Sequence, residues 1–259
     1  MRKTHRGIQA LFVTATVSVW AGTASANLTT VHAPAAGEQS QAQILSYVYG
    51  GTFLAAVNNA YTNGTGITAT RVDDALAGGG PGGNLHLVFG APGGSTTDQL
   101  WVDGIADAKA EAKFAAYSQQ FGYDLLDGLG YQPLFNVTMT GPTGYDVSGS
   151  NSHQFSLGFP WNWARSGQGG TFNSQESRNT DGLDHMVTYQ ITSLTDPGKA
   201  VWMLFWEDLP GSFTSGSSDR DFNDLAVEVR GTVVPLPGAD ILAMIGFAGL
   251  SVLRYRRKA

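Results

Sequence analysis

Nothing between Asn27 and Val234 keeps a helical period for long; apolar residues come instead in short runs, each closed by Gly, Pro, Asn or Ser. Few architectures fit that pattern. The plainest runs are Ile67 to Val72, Leu85 to Phe89, Leu134 to Thr140, His153 to Phe159, Met186 to Leu194, Val201 to Trp206 and Leu225 to Val229. They are rich in the β-branched and aromatic residues that pack on a pleated surface. Short strands between turn clusters predict an all-β fold, an antiparallel β-sandwich or jelly roll, and the 208 residues concerned suit a single domain of that kind. Ala77 to Gly83 and Ser166 to Ser174 read as surface loops within it. One short helix is predicted over Glu38 to Val48, with Ile44, Leu45 and Val48 on one side and Gly50-Gly51 stopping it.

The segment Ala106 to Phe114, ADAKAEAKF, tests the period against propensity. Its residues are good helix formers, yet a helix would place Asp107 against Glu111 and Lys109 against Lys113, two like-charge pairs at i,i+4. A strand puts Ala106, Ala108, Ala110, Ala112 and Phe114 on one face and lets opposite charges neighbour one another on the other. We read it as a strand.

The two ends stand outside the domain. Arg2, Lys3 and Arg6 precede an apolar run from Gly7 to Trp20, and Ala24-Ser25-Ala26 is an A-x-A cleavage site, so residues 1–26 read as a secretory signal for signal peptidase. At the other end come Val234, Pro235, Leu236 and Pro237, then a mostly apolar stretch from Gly238 to Leu253, then Arg254, Arg256, Arg257 and Lys258. Sixteen positions at about 1.5 Å each span roughly 24 Å, short of the roughly 30 Å hydrocarbon core, so this hydrophobic helix is a weak anchor. This tripartite end resembles the PEP-CTERM sorting signals, in the VPLPA-type variant with Gly238 where Ala is usual. The resemblance implies processing of residues 235–259 by an exosortase-type membrane protease. It also implies delivery to the cell envelope, surface or extracellular matrix of a Gram-negative bacterium. A plain single-span anchor is the competing reading.

Charge and composition narrow the function. Between the two ends, 8 Lys+Arg face 20 Asp+Glu, a net −12 that repels nucleic acid and attracts cations. The chain has no Cys, so any cation is held by oxygen or imidazole.

The acidic residues gather in Val201 to Val229, VWMLFWEDLPGSFTSGSSDRDFNDLAVEV. Glu207 and Asp208 leave one predicted strand; Asp219, Asp221, Asn223 and Asp224 enter the next. If the two pair as a hairpin, both groups converge on one end of the sheet. Five carboxylates and one amide there repel one another unless something positive sits among them, and Arg220 supplies a single charge. Calcium, which takes six to eight oxygens at about 2.3 to 2.6 Å, is the economical answer. The D-x-D-x-N spacing of Asp219, Asp221 and Asn223 opens like an EF-hand loop but lacks its Gly and distant Glu. A solvated hairpin end whose carboxylates cap turns is the competing reading.

The run from Gly182-Leu183-Asp184-His185 through Phe205-Trp206-Glu207-Asp208 to Asp219-Arg220-Asp221-Phe222-Asn223-Asp224 resembles the DUF4114 family over residues 182–231, with Ser218 where that family usually has Gly. The resemblance implies a β-rich extracellular domain with a calcium site at Glu207, Asp208, Asp219, Asp221, Asn223 and Asp224, and no named reaction. Rival sites are thinner. Asp184-His185 with a serine would be a hydrolase triad, but no G-x-S-x-G elbow accompanies it. Glu207 and Asp221 would be a glycosidase pair, in a loop too polar to raise one pKa selectively. Trp161 and Trp163 would stack on sugar rings, though two core tryptophans fit the pattern better. The expectation is a non-enzymatic, exported, calcium-binding surface or matrix protein, with signal peptidase, an exosortase-type protease and exopolysaccharide as partners; the alternative is a carbohydrate-binding or glycoside-processing module.

Overall fold

The computed structural model describes residues 29–55, 60–72, 86–88, 100–102, 105–125, 129–139, 143–148, 153–156, 161–192, 199–212 and 217–232. The signal segment with Ala24 and Ala26, the sorting motif Val234 to Pro237, the apolar tail and the Ala77 to Gly83 loop all lie outside the described residues. No helix among the described residues is long and apolar enough to cross a membrane.

One helix, α1 (Gln41–Tyr49), precedes fifteen described strands. In chain order these are β1 (Leu54–Ala55), β2 (Ala60–Thr62), β3 (Thr68–Val72), β4 (His86–Val88), β5 (Leu100–Val102), β6 (Ile105–Ala112), β7 (Gln119–Leu125) and β8 (Gly130–Met139). Then follow β9 (Val147–Ser148), β10 (His153–Ser156), β11 (Trp161–Gly167), β12 (Gly170–Asn173), β13 (Met186–Thr192), β14 (Lys199–Trp206) and β15 (Leu225–Thr232). Every described pairing is antiparallel. One sheet runs β1-β2-β3-β13-β14-β15-β6-β10; the other runs β4-β5-β11-β7-β8-β9, with β12 beside β11.

The sheets face each other across a shared core. Trp202, Leu204 and Trp206 of β14 and Val227 and Val229 of β15 meet Phe121, Val137, Trp161 and Trp163 from the opposite sheet. The alternate residues Met203 and Phe205 point the other way, onto Ile44 and Leu45 of α1. β14 is therefore apolar on both faces because a layer covers each, as the continuous run Val201 to Trp206 implied. Ser40 caps α1: its hydroxyl accepts from Gln43 N at 3.3 Å, and Gln43 Oε1 accepts from Ser40 N at 2.8 Å. This reciprocal box starts the helix at Gln41 rather than Glu38.

Two readings need correction. Ala106 to Phe114 is largely strand β6, but its small residues do not share one face. Ala110 pairs with Val227 while Ala112 pairs with Ala226, so Glu111 is an extra residue in a β-bulge. Ala108 and Ala110 stay between the sheets, and Ala112 and Phe114 pass to the α1 side. Ser166 to Ser174 is not a loop but the β11–β12 hairpin, whose ladder runs from Ala164↔Asn173 to Gly167↔Gly170. Strand β7 escaped notice because Gly122 interrupts it. A Cβ at Gly122 would lie 2.1 Å from Gln132 O, so this close approach, beside a register shift, admits only glycine.

Candidate functional site

The β14–β15 hairpin forms as the sequence implied: Trp206 pairs with Leu225, so Glu207 and Asp224 leave the ladder side by side. Asp208 N donates to Asp224 Oδ2 at 2.8 Å, and Asp224 O accepts from Phe114 N and Ala115 N at 3.2 and 3.3 Å. Those bonds fasten the end of β6 to the hairpin mouth.

The six expected ligand residues divide into two groups. Glu207, Asp208 and Asp224 each offer a carboxylate oxygen, all within 4.8 Å of one another; Asp219 and Asp221 form a second such trio with Glu38. Asn223 belongs with the second, since its Nδ2 donates to Asp221 Oδ2 at 2.7 Å, to Glu38 Oε2 at 3.3 Å and to Gln39 O at 3.1 Å. Gln41 Nε2 donates to Asp221 O at 3.3 Å, joining the start of α1 to the same loop. Glu38 and Gln41 were missed: they lie about 180 residues away, and no spacing connects them to the loop.

Backbone geometry sets this loop apart. Arg220 and Phe222 have φ of 58° and 57°, the left-handed region that bulky residues avoid. Two such residues alternate with Asp219, Asp221 and Asn223. Neighbouring contacts hold the strained form: His32 N donates to Arg220 O at 3.0 Å, Asp221 Oδ1 accepts from Asn223 N at 3.1 Å, and Phe222 is wholly buried against α1.

Burial governs the electrostatics. It raises the pKa of Asp221, with Asp219 adding to it, up to about 8. It likewise lifts Asp224 well above its ordinary value, with Asp208 and Glu207 contributing, and lifts Glu207 and Asp208. Arg165 and Lys113 offset the charge of Asp208 in part, but from a distance rather than through an ion pair. Arg165 bonds through Nη1 to Gln119 Oε1 at 2.9 Å and through Nη2 to the carbonyl of Asp208, so it meets the backbone rather than the carboxylates. Gln119 Nε2 then donates to Asp208 Oδ2 at 2.7 Å. Arg220 places its guanidinium 4.8 Å over its neighbour Phe222. The described ion pairs lie elsewhere, at Lys109–Glu111, Arg178–Asp124 and Arg230–Glu228, and the His185 imidazole, kept neutral by burial, hydrogen-bonds Asp181. At the hairpin mouth two buried carboxylate or amide oxygens are left without a hydrogen-bond partner, Glu207 Oε2 and Asn223 Oδ1; Asn162 Oδ1 and Asn173 Oδ1 share that state elsewhere in the domain. Both trios border one open cleft of about 600 Å3, whose wall includes Glu38, Glu207, Asp208, Asp219 and Asp224.

The structure places the rival constellations as follows. Asp184 accepts from Thr29 Oγ1 at 2.6 Å and Met186 N at 3.1 Å, while His185, fully buried, pairs through Nε2 with Asp181 at 3.0 Å. The two neighbours thus serve different partners. Glu207 and Asp221 fall in different trios, yet Glu207 bears on Asp221 electrostatically, and burial lifts Asp221 up to about 8, contrary to the expectation that so polar a loop would raise neither selectively. Trp161 and Trp163 are 0 % exposed, and Phe121 stacks on Trp163 at 5.1 Å, so neither ring can meet a sugar.

Residues 143–232 match DUF4114, a domain of unknown function, which extends the sequence resemblance back to β9 and takes in both sides of the acidic hairpin. No curated protein matches the chain. Among solved structures, the C-terminal domain of BC2L-C lectin from Burkholderia cenocepacia overlaps 51% of this chain and 90% of its own, at 16% identity and a TM-score of 0.31. So loose an overlap carries nothing about ligand or site.

Proposed function

We propose that this chain is an exported, non-enzymatic surface or matrix protein whose sandwich is fastened by calcium at the mouth of the β14–β15 hairpin. The observation behind the reading is Asn223. Its Nδ2 is spent on three acceptors, and its Oδ1, on a residue 1% exposed, has no donor amid Glu38, Asp219 and Asp221. A buried amide oxygen among carboxylates lacks a positive partner, and a hard cation supplies one. The donor set fits: carboxylates and an amide oxygen suit calcium, whereas zinc favours imidazole or thiolate. Glu38, Asp219, Asp221 and Asn223 would hold the ion, which when bound offsets their repulsion and ties the loop to the start of α1.

Export rests on Ala24 and Ala26 as the signal-peptidase site. Sorting rests on Val234 to Pro237 as the recognition element of an exosortase-type protease, with the envelope or extracellular matrix of a Gram-negative bacterium as destination and exopolysaccharide as a partner there. A carbohydrate-binding reading keeps one observation in its favour after the burial of the tryptophans. Tyr117, 45% exposed, stands on the wall of the acidic cleft. Loss of retardation on polysaccharide gels in Tyr117→Ala would favour it.

The calcium reading is tested by melting. Extracellular modules bind calcium with Kd of about 0.1 to 1 mM, and metal at about one hundred times Kd adds about 2.7 kcal/mol if only the folded state binds. Calcium should raise Tm above that in sodium of equal ionic strength, and Asp219→Ala or Asp221→Ala should shrink the rise. Identical melting of wild type and variants in both salts overturns the reading.

A further inference from the structure

We propose that Glu207, Asp208 and Asp224 hold a second cation of their own, so that the hairpin mouth carries a neighbouring pair of ions. The inference rests on the calcium reading of the Asp219–Asn223 loop and adds a site to it. Ligands on opposite sides of one calcium are about 4.8 Å apart, twice a Ca–O bond of about 2.4 Å. Each trio fits within that span separately, and the six carboxylates do not fit within it together. One ion therefore serves one trio.

The independent observation is Glu207. The residue is 1% exposed, its Oε1 accepts from Leu209 N at 3.3 Å, and its Oε2 has no donor although the residue lines the cleft. The other two carboxylates also spend one oxygen each on a fixed donor, Asp208 Oδ2 on Gln119 and Asp224 Oδ2 on Asp208 N. One oxygen from each carboxylate lies within 4.8 Å of the others, and the nearby cations Arg165 and Lys113 bear on them electrostatically without a direct ion pair. Arg165 is committed to Gln119 and a carbonyl, and Lys113 Nζ donates to Ala115 O. The described donors to these three carboxylates, Leu209 N, Gln119 Nε2, Asp208 N and the Ser218 hydroxyl, are all uncharged, which leaves the cluster short of positive charge, and Gln119 and Arg165 position Asp208 from behind.

Equilibrium dialysis of the purified full-length chain against 45Ca2+ at fixed ionic strength counts the ions. Two per chain are expected, with one lost in Asp224→Asn and the other in Asp221→Asn. Asparagine keeps an acceptor for Asp208 N, and circular dichroism verifies that each variant folds; Glu207→Gln serves if Asp224→Asn does not. One ion per wild-type chain overturns the second site while leaving the calcium reading intact, and that count needs no variant. Two ions both removed by Asp224→Asn in a folded protein also overturn it, because the trios would then not be separate sites. No bound calcium sinks both proposals.

Discussion

Gly169, in the turn between β11 and β12, presses directly on the acidic hairpin. A Cβ built there would lie 2.0 Å from Asp208 O and 3.1 Å from Asp208 C. Ordinary contact begins near 3.4 Å, so in Gly169→Ala the turn or Asp208 must retreat by roughly 1.4 Å, and the obstacle is backbone rather than a flexible side-chain end. Overpacking of this kind costs about 1 to 3 kcal/mol. The retreat also endangers the bond from Arg165 to Asp208 O, and hydrogen bonds to charged groups contribute about 1.5 to 3 kcal/mol. A loss near 3 kcal/mol, with a urea m-value of about 2 kcal/mol per M, lowers the unfolding midpoint by about 1.5 M. Gly170→Ala is the control: its φ of 119° makes alanine strained, but nothing lies within 4 Å of the new methyl, so the cost should stay near 1 kcal/mol. Equal midpoints for wild type and Gly169→Ala in urea titrations followed by tryptophan fluorescence would refute the close approach.

Ala110 is fully buried between the sheets whereas Lys109 is exposed, so Ala110→Asp should abolish cooperative unfolding and Lys109→Ser, which gives up a surface ion pair with Glu111, should cost under about 1 kcal/mol. Equal tolerance would contradict the strand and its facing. Burial raises the Asp184 pKa from 3.8 to about 6, against the bonds from Thr29 and Met186 N and the charges of Arg71 and Arg220. The native state holds the proton more tightly, so the penalty is absent below about pH 4 and complete above about pH 6. At about 1.4 kcal/mol per pKa unit, Asp184→Asn should gain about 3 kcal/mol relative to wild type as pH rises through that window. His185, whose pKa burial lowers to about 4, acts in the opposite direction in both proteins and cancels from the difference. A gap in stability independent of pH would contradict this. Intact mass of the envelope-released protein should lack Arg254 to Lys258; a complete C-terminus there would leave a plain anchor.

What could be read before any coordinates were known follows from how local each signal is. The β14–β15 hairpin was legible because Val201 to Trp206 is apolar without interruption and Leu225, Val227 and Val229 alternate, so the pairing that joins Glu207 to Asp224 needed no distant information. The division of the acids into two trios was not legible, since it depends on the left-handed turns at Arg220 and Phe222 and on Glu38 arriving from the other end of the domain. Ala112 was assigned to the wrong side because one bulged residue reverses every facing beyond it, and no composition marks Glu111 as that residue. Strand β12 was hidden by its glycine and polar residues, which resemble a loop until β11 supplies a ladder.

The bonds from α1 to the far end of the chain set an order of events during synthesis. Gln41 reaches Asp221 across 180 positions, Tyr49 reaches Glu228 across 179, and Tyr189 reaches back to Gln41 across 148. At about 5 to 20 residues per second, the helix leaves the ribosome roughly 10 to 35 s before the residues that bury it. A nine-residue helix is marginal by itself, so this segment waits unstructured with Ile44 and Leu45 uncovered. The first-made of the described elements is thus among the last to be sealed, and a truncation before β13 would release a chain in which Ile44 and Leu45 lack the strand residues that cover them.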